Sequence, residues 1–264
     1  MSENPDRHAR RPGASGTRGA IDLWLFSRDV DARERIRLAA YLSPEERTRT
    51  QRFLDERDSH RYAATRGRLR EILSSYVGLP PAQISFRYGD RGKPYLEDGP
   101  PTWFNLSHSG HLAAVAVSTE FEVGVDIERL RPVRQDLPDR YFSRSEATAL
   151  ATLEGDAWRA AFFRCWTRKE AFIKALGEGM RQPLDSFAVT FDEAEPARLV
   201  WLEGDTGAPE NWSFLDIAHA KGFAGAIAAM TSGAPAPTLR IRSRVVVSGG
   251  LPINGATTSS GNRS

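Results

Sequence analysis

The chain reads as a mixed fold of helices and strands in two similar halves. Its 264 residues suit one large domain or two small ones at roughly 150 residues each. Each half runs helical patterning first and strands after. The stretch His108–Ala116 near the end of the first half also echoes His219–Ala228 near the end of the second. Both carry a histidine, a turn glycine and then a run of small residues, a pattern that duplication and chance can each produce.

Met1–Gly19 is rich in Arg, Gly, Pro and Ser and is expected to be a disordered leader. Ile21–Phe26 alternates like a strand. Ser43-Pro44-Glu45-Glu46 has the form of a helix start, with Ser as N-cap, Pro at the first position and acids in the first turn. Helical patterning runs on to Phe53, resumes over Ser59–Tyr76 and stops at Gly78-Leu79-Pro80-Pro81. Ile84–Tyr88 is a short strand with a turn at Gly89–Gly92. Phe104–Leu106 leads into a turn at Ser107–Gly110, and Leu112–Val117 and Val123–Glu128 read as paired strands. Pro138–Tyr141, Ser143–Leu153 and Ala157–Leu176 are helical, the last ended by Gly177 and Gly179. Strands follow at Phe187–Phe191, Ala197–Leu202, Trp212–Ile217 and Phe223–Met230. From Gly233 the composition predicts a flexible tail.

Apolar residues make up 40% and charged residues 27%, the balance of a chain with a packed core. No stretch approaches the roughly 20 apolar residues of a membrane span, and Met1–Ala20 has no apolar signal-peptide core. A single cysteine, Cys165, excludes an intrachain disulfide and a cysteine-rich zinc site. A soluble cytoplasmic protein that binds neither membrane nor nucleic acid is expected. The net +2 hides an asymmetry: residues 1–20 carry +2 and residues 232–264 carry +4, so the body between them is −4. A nucleic-acid-binding body is ordinarily basic.

Lysine occurs only at 93, 169, 174 and 221, against 32 arginines, so each lysine is a candidate for chemistry that needs a compact point charge. Asp126 and Glu128 sit two apart on a strand and share one face. They are either a hard-oxygen site for Mg²⁺ or a solvated strand end. Trp166, Glu170 and Lys174 form one stripe of a helix at i, i+4, i+8, which an ordinary amphipathic helix with a Glu–Lys pair also explains. Gly92-Lys93-Pro94 holds a lysine in a turn, suited to gripping a phosphate or incidental to a hairpin. Asn105–Gly110 contains Ser107 and His108. Adjacent residues rarely give nucleophile–base geometry, so the choice there is an anion clamp or a polar turn. The arginines of residues 47–70 are a solvated face or a peripheral phosphate site. Cys165 is read as a small buried apolar group.

In order along the chain stand Ser43–Arg47, Gly92–Pro94, Asn105–Ser109, Gly124–Glu128 and Trp166–Lys174 (WTRKEAFIK). Together they resemble the 4′-phosphopantetheinyl transferases, of the long, pseudo-dimeric bacterial type that modifies carrier domains of peptide and polyketide synthases. The resemblance runs from about Ile21 to Met230. It implies an α+β fold whose halves are related by a pseudo-twofold. Each half would pack helices on a small antiparallel sheet, with the active site in the cleft between them. The implied division is a leader over 1–19, an N-terminal half over 20–122 with the nucleotide contacts, a C-terminal half over 123–232 with the metal and catalytic residues, and a tail over 233–264.

The resemblance also implies roles. Asp126, Glu128 and Glu170 would bind Mg²⁺. Lys174 would lie near the phosphates of coenzyme A, catalytic together with Glu170. Lys93, Pro94, Ser107 and His108 would contact coenzyme A, His108 near its 3′-phosphate, with Arg49 and Arg61 on the same nucleotide. Glu46 departs from the pattern where a relative carries Lys, leaving a contact for Arg47 or Arg52 to replace. The expected reaction moves phosphopantetheine from coenzyme A to a serine of an apo carrier protein of peptide-synthase, polyketide-synthase or fatty-acid type, releasing 3′,5′-ADP. Glu170 would act as base, directly or through a metal-bound water, and the enzyme would be a monomer. The basic, apolar stretch Arg129–Phe142, with Arg131 and Arg134, is the expected docking surface for an acidic carrier. Two rivals remain: a metal-dependent nuclease, which wants a Glu-x-Lys tripeptide and a basic body, and a relative that binds coenzyme A or a carrier without turnover.

Overall fold

In the computed structural model the described residues are 19–177, 182–218 and 220–242. The expected leader up to residue 18, Gly179, His219 and the tail from residue 243 lie outside the described residues.

The first half opens with β1 (Ala20–Ser27), followed by α1 (Ala32–Ala39). The sequence pattern does not reveal α1, because Leu38 is buried while Ile36 is 71% exposed, so no apolar stripe marks it. Its visible signal is Asp31, which caps the helix by accepting from the Glu34 amide at 2.8 Å. Next, α2 (Pro44–Thr50) starts at Ser43 as expected, with a reciprocal capping box between Ser43 and Glu46, but it stops short of Phe53. The long α3 (Glu56–Val77) is capped by Asp55 and ends at Gly78 in the left-handed region at φ 74°. A hairpin of β2 (Phe86–Tyr88) and β3 (Pro94–Leu96) leads to β4 (Trp103–Ser109) and β5 (Leu112–Ser118). Leu69, Ile72 and Leu73 of α3 pack on Phe26, Phe104, Val115 and Val117 of the sheet.

The second half comprises β6 (Val123–Arg129), α4 (Leu137–Tyr141), α5 (Arg144–Leu150), α6 (Gly155–Leu176), β7 (Phe187–Val189), β8 (Leu199–Leu202), α7 (Ala208–Asn211), β9 (Trp212–Asp216) and β10 (Phe223–Met230). Its sheet runs β6-β10-β9, and α6 lays Phe172 against Phe187, Trp212 and Phe214. The architecture is α+β, with the two larger sheets each faced by a long helix.

The expected pairing of the strands at 112–117 and 123–128 does not occur. β5 lies between β1 and β4, buried along its whole length, and has no free edge. β6 pairs antiparallel with β10 in the other sheet.

The halves repeat one local device. Ser143 and Glu146 form a second capping box. Buried Glu46 binds Arg66 at 2.6 Å and Arg70 at 2.7 Å, and Arg70 also donates to the carbonyl of Ile84 at 2.7 Å. Buried Glu146 likewise binds Lys169 at 2.8 Å, and Lys169 donates to the carbonyls of Leu184 and Phe187 at 2.8 and 2.5 Å. The second long helix also ends at a left-handed glycine, Gly177, at φ 72°. One sequence reading changes accordingly: Lys169 is a buried structural cation rather than part of the chemistry. Glu46 has an internal anchoring role of its own.

The tail expected to be flexible contributes β11 (Thr238–Ile241), parallel to β1. Arg240 and Arg242 reach the buried Asp22 at 2.6 and 3.1 Å, and Tyr76 donates to it at 2.7 Å. Burial alone would raise the Asp22 carboxyl, but the hydrogen bonds from Arg240, Tyr76 and Arg242 outweigh it and hold the pKa below the ordinary value. A depressed folded-state pKa stabilises above the unfolded pKa, and that stability disappears as pH falls through the folded value. The double variant Arg240→Gln, Arg242→Gln should lose about 1 kcal/mol at pH 7, a figure reduced because both arginines are half exposed. The gap from the parent should close as the pH drops below about 4, where Asp22 protonates in the unfolded chain. Thermal melts across that range check it, and a pH-independent gap would show that the pair acts by packing alone.

Candidate active site

The site forms where β4 of the first half faces the free edge of β6 in the second. Asn105, Ser107 and Ser109 alternate along β4 and so point the same way. Each accepts from one amide of β6: Val125 N to Asn105 Oδ1 at 3.0 Å, Ile127 N to Ser107 Oγ at 3.3 Å, and Arg129 N to Ser109 Oγ at 3.1 Å. The two hydroxyls then donate onward, Ser107 to Asp126 Oδ1 at 2.8 Å and Ser109 to Glu128 Oε2 at 2.7 Å. Side chains thus satisfy an edge that another strand would otherwise occupy. Ser107, His108 and Ser109 belong to the strand, not to the turn expected from sequence, which holds Gly110 at φ 56°.

Close packing brings α6 to this seam. A Cβ on Gly124 of β6 would lie 2.1 Å from the Ala171 carbonyl oxygen and 2.3 Å from the Ala175 nitrogen. With only a hydrogen there, Lys174 Nζ reaches Asp126 Oδ1 at 2.6 Å and Ser107 Oγ at 3.0 Å. Glu170, one turn earlier, makes no hydrogen bond or ion pair among the described residues. It lines a cavity of about 740 Å³ with Lys174, Pro94, Tyr141 and Trp166. Among the described residues one buried side-chain oxygen lacks any hydrogen-bond partner, Asp126 Oδ2. Such an orphan is costly unless something binds it.

The electrostatics agree. Burial pushes the Asp126 carboxyl up against the opposing pull of Lys174 and Ser107, and the charge of Glu128 adds to the rise. Burial, then Asp126, raises Glu170, with Lys174 opposing and Glu128 adding. Asp126 and Glu170 therefore share one ammonium, that of Lys174, while Glu128 pairs with Arg131. Among the described residues no three acidic, histidine or cysteine side chains already stand in metal-binding geometry. Lys174 holds Asp126 Oδ1, while Ser109 and Arg131 both hold Glu128 Oε2, the latter at 2.8 Å. The hard-oxygen donor set and the orphaned Oδ2 fit a divalent cation of the Mg²⁺ kind.

The other predicted residues lie around this core. Lys93 donates to the Ala175 carbonyl at 2.7 Å, capping the end of α6 from the other half, and desolvation lowers its pKa. His108 projects from the opposite face of β4 and is exposed; partial desolvation, then the charge of Arg28, lowers its imidazole pKa. Arg61 is held bidentately by Asp29 at 2.6 and 2.7 Å. Arg49 stacks over the Tyr62 ring at 5.2 Å. Arg47 donates to the Ala40 carbonyl at 3.3 Å. Arg131 and Arg134 pair with Glu128 and Asp136. Cys165 is buried as expected, its thiol pushed up by burial. The sequence singles out Asn105–Ser109 as a motif but points to roles in it only for Ser107 and His108; the signal for Asn105 and Ser109 is the polar residues at every second position of a short strand.

Comparison with known proteins bears on this arrangement. The profile described as 4′-phosphopantetheinyl transferase superfamily matches residues 122–228, and that described as 4′-phosphopantetheinyl transferase, N-terminal, matches residues 31–120. The chain is 38% identical over 202 residues to the 4′-phosphopantetheinyl transferase HetI of Nostoc sp., covering 75% of this chain and 82% of that protein. It is 36% identical over 168 residues to the 4′-phosphopantetheinyl transferase ffp of Bacillus subtilis, covering 64% of this chain and 75% of that protein. Among solved structures it matches Thermotoga maritima holo-[acyl-carrier-protein] synthase at 22% identity with a TM-score of 0.35, over 42% of this chain and 64% of that one.

Proposed function

Because this chain belongs to the 4′-phosphopantetheinyl transferase superfamily, we propose that it moves the phosphopantetheine arm of coenzyme A onto a serine of an apo carrier protein. The carrier is of peptide-synthase, polyketide-synthase or fatty-acid type, and the enzyme acts as a cytoplasmic monomer. The observation that carries this reading is the buried, unpartnered Oδ2 of Asp126, whose other oxygen takes Lys174, a residue that lines a roomy cavity together with Glu170.

Asp126, Glu128 and Glu170 would hold Mg²⁺, which when bound would neutralise charge on the pyrophosphate. Lys174 leans over Asp126 from α6 and places its ammonium where a phosphoryl oxygen of coenzyme A can take it. Glu170 lies free on the cavity wall with a raised pKa, suited to receive the proton of the carrier serine. The serine oxygen forms a bond to the β-phosphorus, the bond from that phosphorus to the bridging oxygen breaks, and 3′,5′-ADP leaves. The cavity beside Pro94, Tyr141 and Trp166 accommodates the arm, and the stretch from Arg129 to Phe142 receives the carrier.

The test is intact-mass measurement of apo carriers of all three types, incubated with this protein, coenzyme A and Mg²⁺, with and without EDTA. A gain of one phosphopantetheine arm that EDTA abolishes is the expected result. A gain indifferent to EDTA would overturn the metal assignment, and no gain on any carrier would leave a binding-only relative.

A further inference from the structure

The stretch from Arg129 to Phe142 carries Arg131, Arg134 and Arg140, and their counter-ions differ. Arg134 and Arg140 share Asp136, at 2.7 and 2.8 Å, so both are balanced within the stretch itself. Arg131 reaches out of it. Its Nη1 donates to Glu128 Oε2 at 2.8 Å and, more loosely, to the Arg129 carbonyl at 3.4 Å. Its guanidinium also lies over the ring of Phe163 on α6, 5.5 Å from the ring centroid. Phe163 stands seven residues before Glu170, on the same face of that helix. Arg131 is therefore a surface arginine whose counter-ion belongs to the proposed metal site.

Glu128 Oε2 thus has two donors, and they are held very differently. Ser109 donates to it at 2.7 Å from β4, and the Arg129 amide fixes that same hydroxyl at 3.1 Å. Releasing Ser109 would open the joint between the two halves. Arg131 sits past the end of β6, outside any helix or strand, and its side chain is 47% exposed. Of the two donors, the arginine can leave without disturbing the fold. A partly exposed ion pair is weak and is readily exchanged for another. While the pair lasts, it opposes a cation twice over. It occupies a carboxylate oxygen, and it sets a like charge beside the place where the ion would sit.

We propose that Arg131 is a gate that couples carrier docking to the metal site. In the free protein it holds Glu128, and an acidic side chain of the docked carrier takes it over, which releases Glu128 for the divalent cation. This rests on the carrier and metal assignments proposed above. The guanidinium exchanges one carboxylate for another, so it stays paired throughout. Linkage makes the effect reciprocal: carrier tightens metal and metal tightens carrier by the same factor. The metal site is then completed only when an acceptor serine is at hand.

The experiment titrates Mn²⁺ into the full-length protein by calorimetry, alone and with saturating apo carrier of each of the three types. The acceptor serine of each carrier is replaced by alanine, so no transfer occurs. The parent should bind the ion about two- to fivefold more tightly with a carrier type that it modifies, the span of a partly exposed ion pair. Arg131→Gln, a change at an exposed loop residue that leaves the fold intact, should bind it about two- to fivefold more tightly than the parent when alone. It should gain nothing further from the carrier. Arg134→Gln removes a cation of the same stretch whose partner is Asp136, and it should weaken the carrier yet keep the coupling. Coupling that survives in Arg131→Gln, unchanged metal affinity in that variant, or no Mn²⁺ binding in any of these states would overturn the gate. A parent that modifies carriers but shows no coupling would also overturn it and leave the transferase reading standing. A parent that modifies no carrier would sink the transferase reading, while tighter Mn²⁺ in Arg131→Gln would still uphold the hold of Arg131 on Glu128.

Discussion

Glu170→Gln should lower turnover by on the order of 10²- to 10⁴-fold, the usual cost of removing a positioned general base. It should do so without lowering the melting temperature. Glu170 has no hydrogen-bond or ion-pair partner among the described residues, and burial, then Asp126 and Glu128, push its pKa up against the pull of Lys174 alone. Neutralising it removes the cost of burying a charge and two like-charge repulsions, gives up one attraction to Lys174, and breaks no hydrogen bond. A fall in kcat with an unchanged or higher melting temperature is therefore the signature of a residue kept for chemistry at some cost in stability. Near-normal turnover would remove Glu170 from the reaction. A melting temperature several degrees lower would mean the side chain has a structural partner.

Gly124→Ala is the second substitution with a large expected effect, and its character is opposite. The added methyl would collide with backbone atoms of α6 at Ala171 and Ala175, which cannot swing aside as a flexible side chain would. Either α6 moves off β6 or the strand bends, and overpacking of this kind costs about 3 kcal/mol or more. Activity should fall further than stability. Moving α6 carries Lys174 away from Asp126, now 2.6 Å distant, and leaves a buried carboxylate without its cation. Denaturant melts and steady-state kinetics on the same preparation check both expectations. Parent-like values in both would show that the helix has room to spare.

Much of this was readable beforehand, for identifiable reasons. Ser43 and Glu46 announced a helix start because capping is local chemistry encoded within four residues. Asp126 and Glu128 were placed on one face by strand periodicity, and Glu170 and Lys174 on one stripe by helical periodicity. What stayed hidden depended on contacts distant in sequence. Glu46 gives no local sign of its anchoring role because its partners, Arg66 and Arg70, lie 20 and 24 residues away. Lys169 shared a motif with Glu170 but points into the core toward Glu146. β11 is hidden within a tail of flexible composition because its anchor, Asp22, lies more than 200 residues earlier. The pairing of β5 with β6 failed because nearness in sequence cannot tell a hairpin from a crossing between sheets.

The seam between β4 and β6 has one more consequence. A main-chain ladder tolerates sliding, since every residue offers the same amide and carbonyl. Here the acceptors are Asn105, Ser107 and Ser109, and the residues between them are Leu106 and His108. A slip of one residue, about 3.3 Å, would offer the amides of β6 a leucine and an imidazole in place of the amide and hydroxyl oxygens. It would also strand both carboxylates. The seam therefore behaves as a keyed joint with a single seating. The spacing of the reactive groups inherits that all-or-none character, so mutations elsewhere in either half can loosen the joint but cannot gradually retune the distance across it.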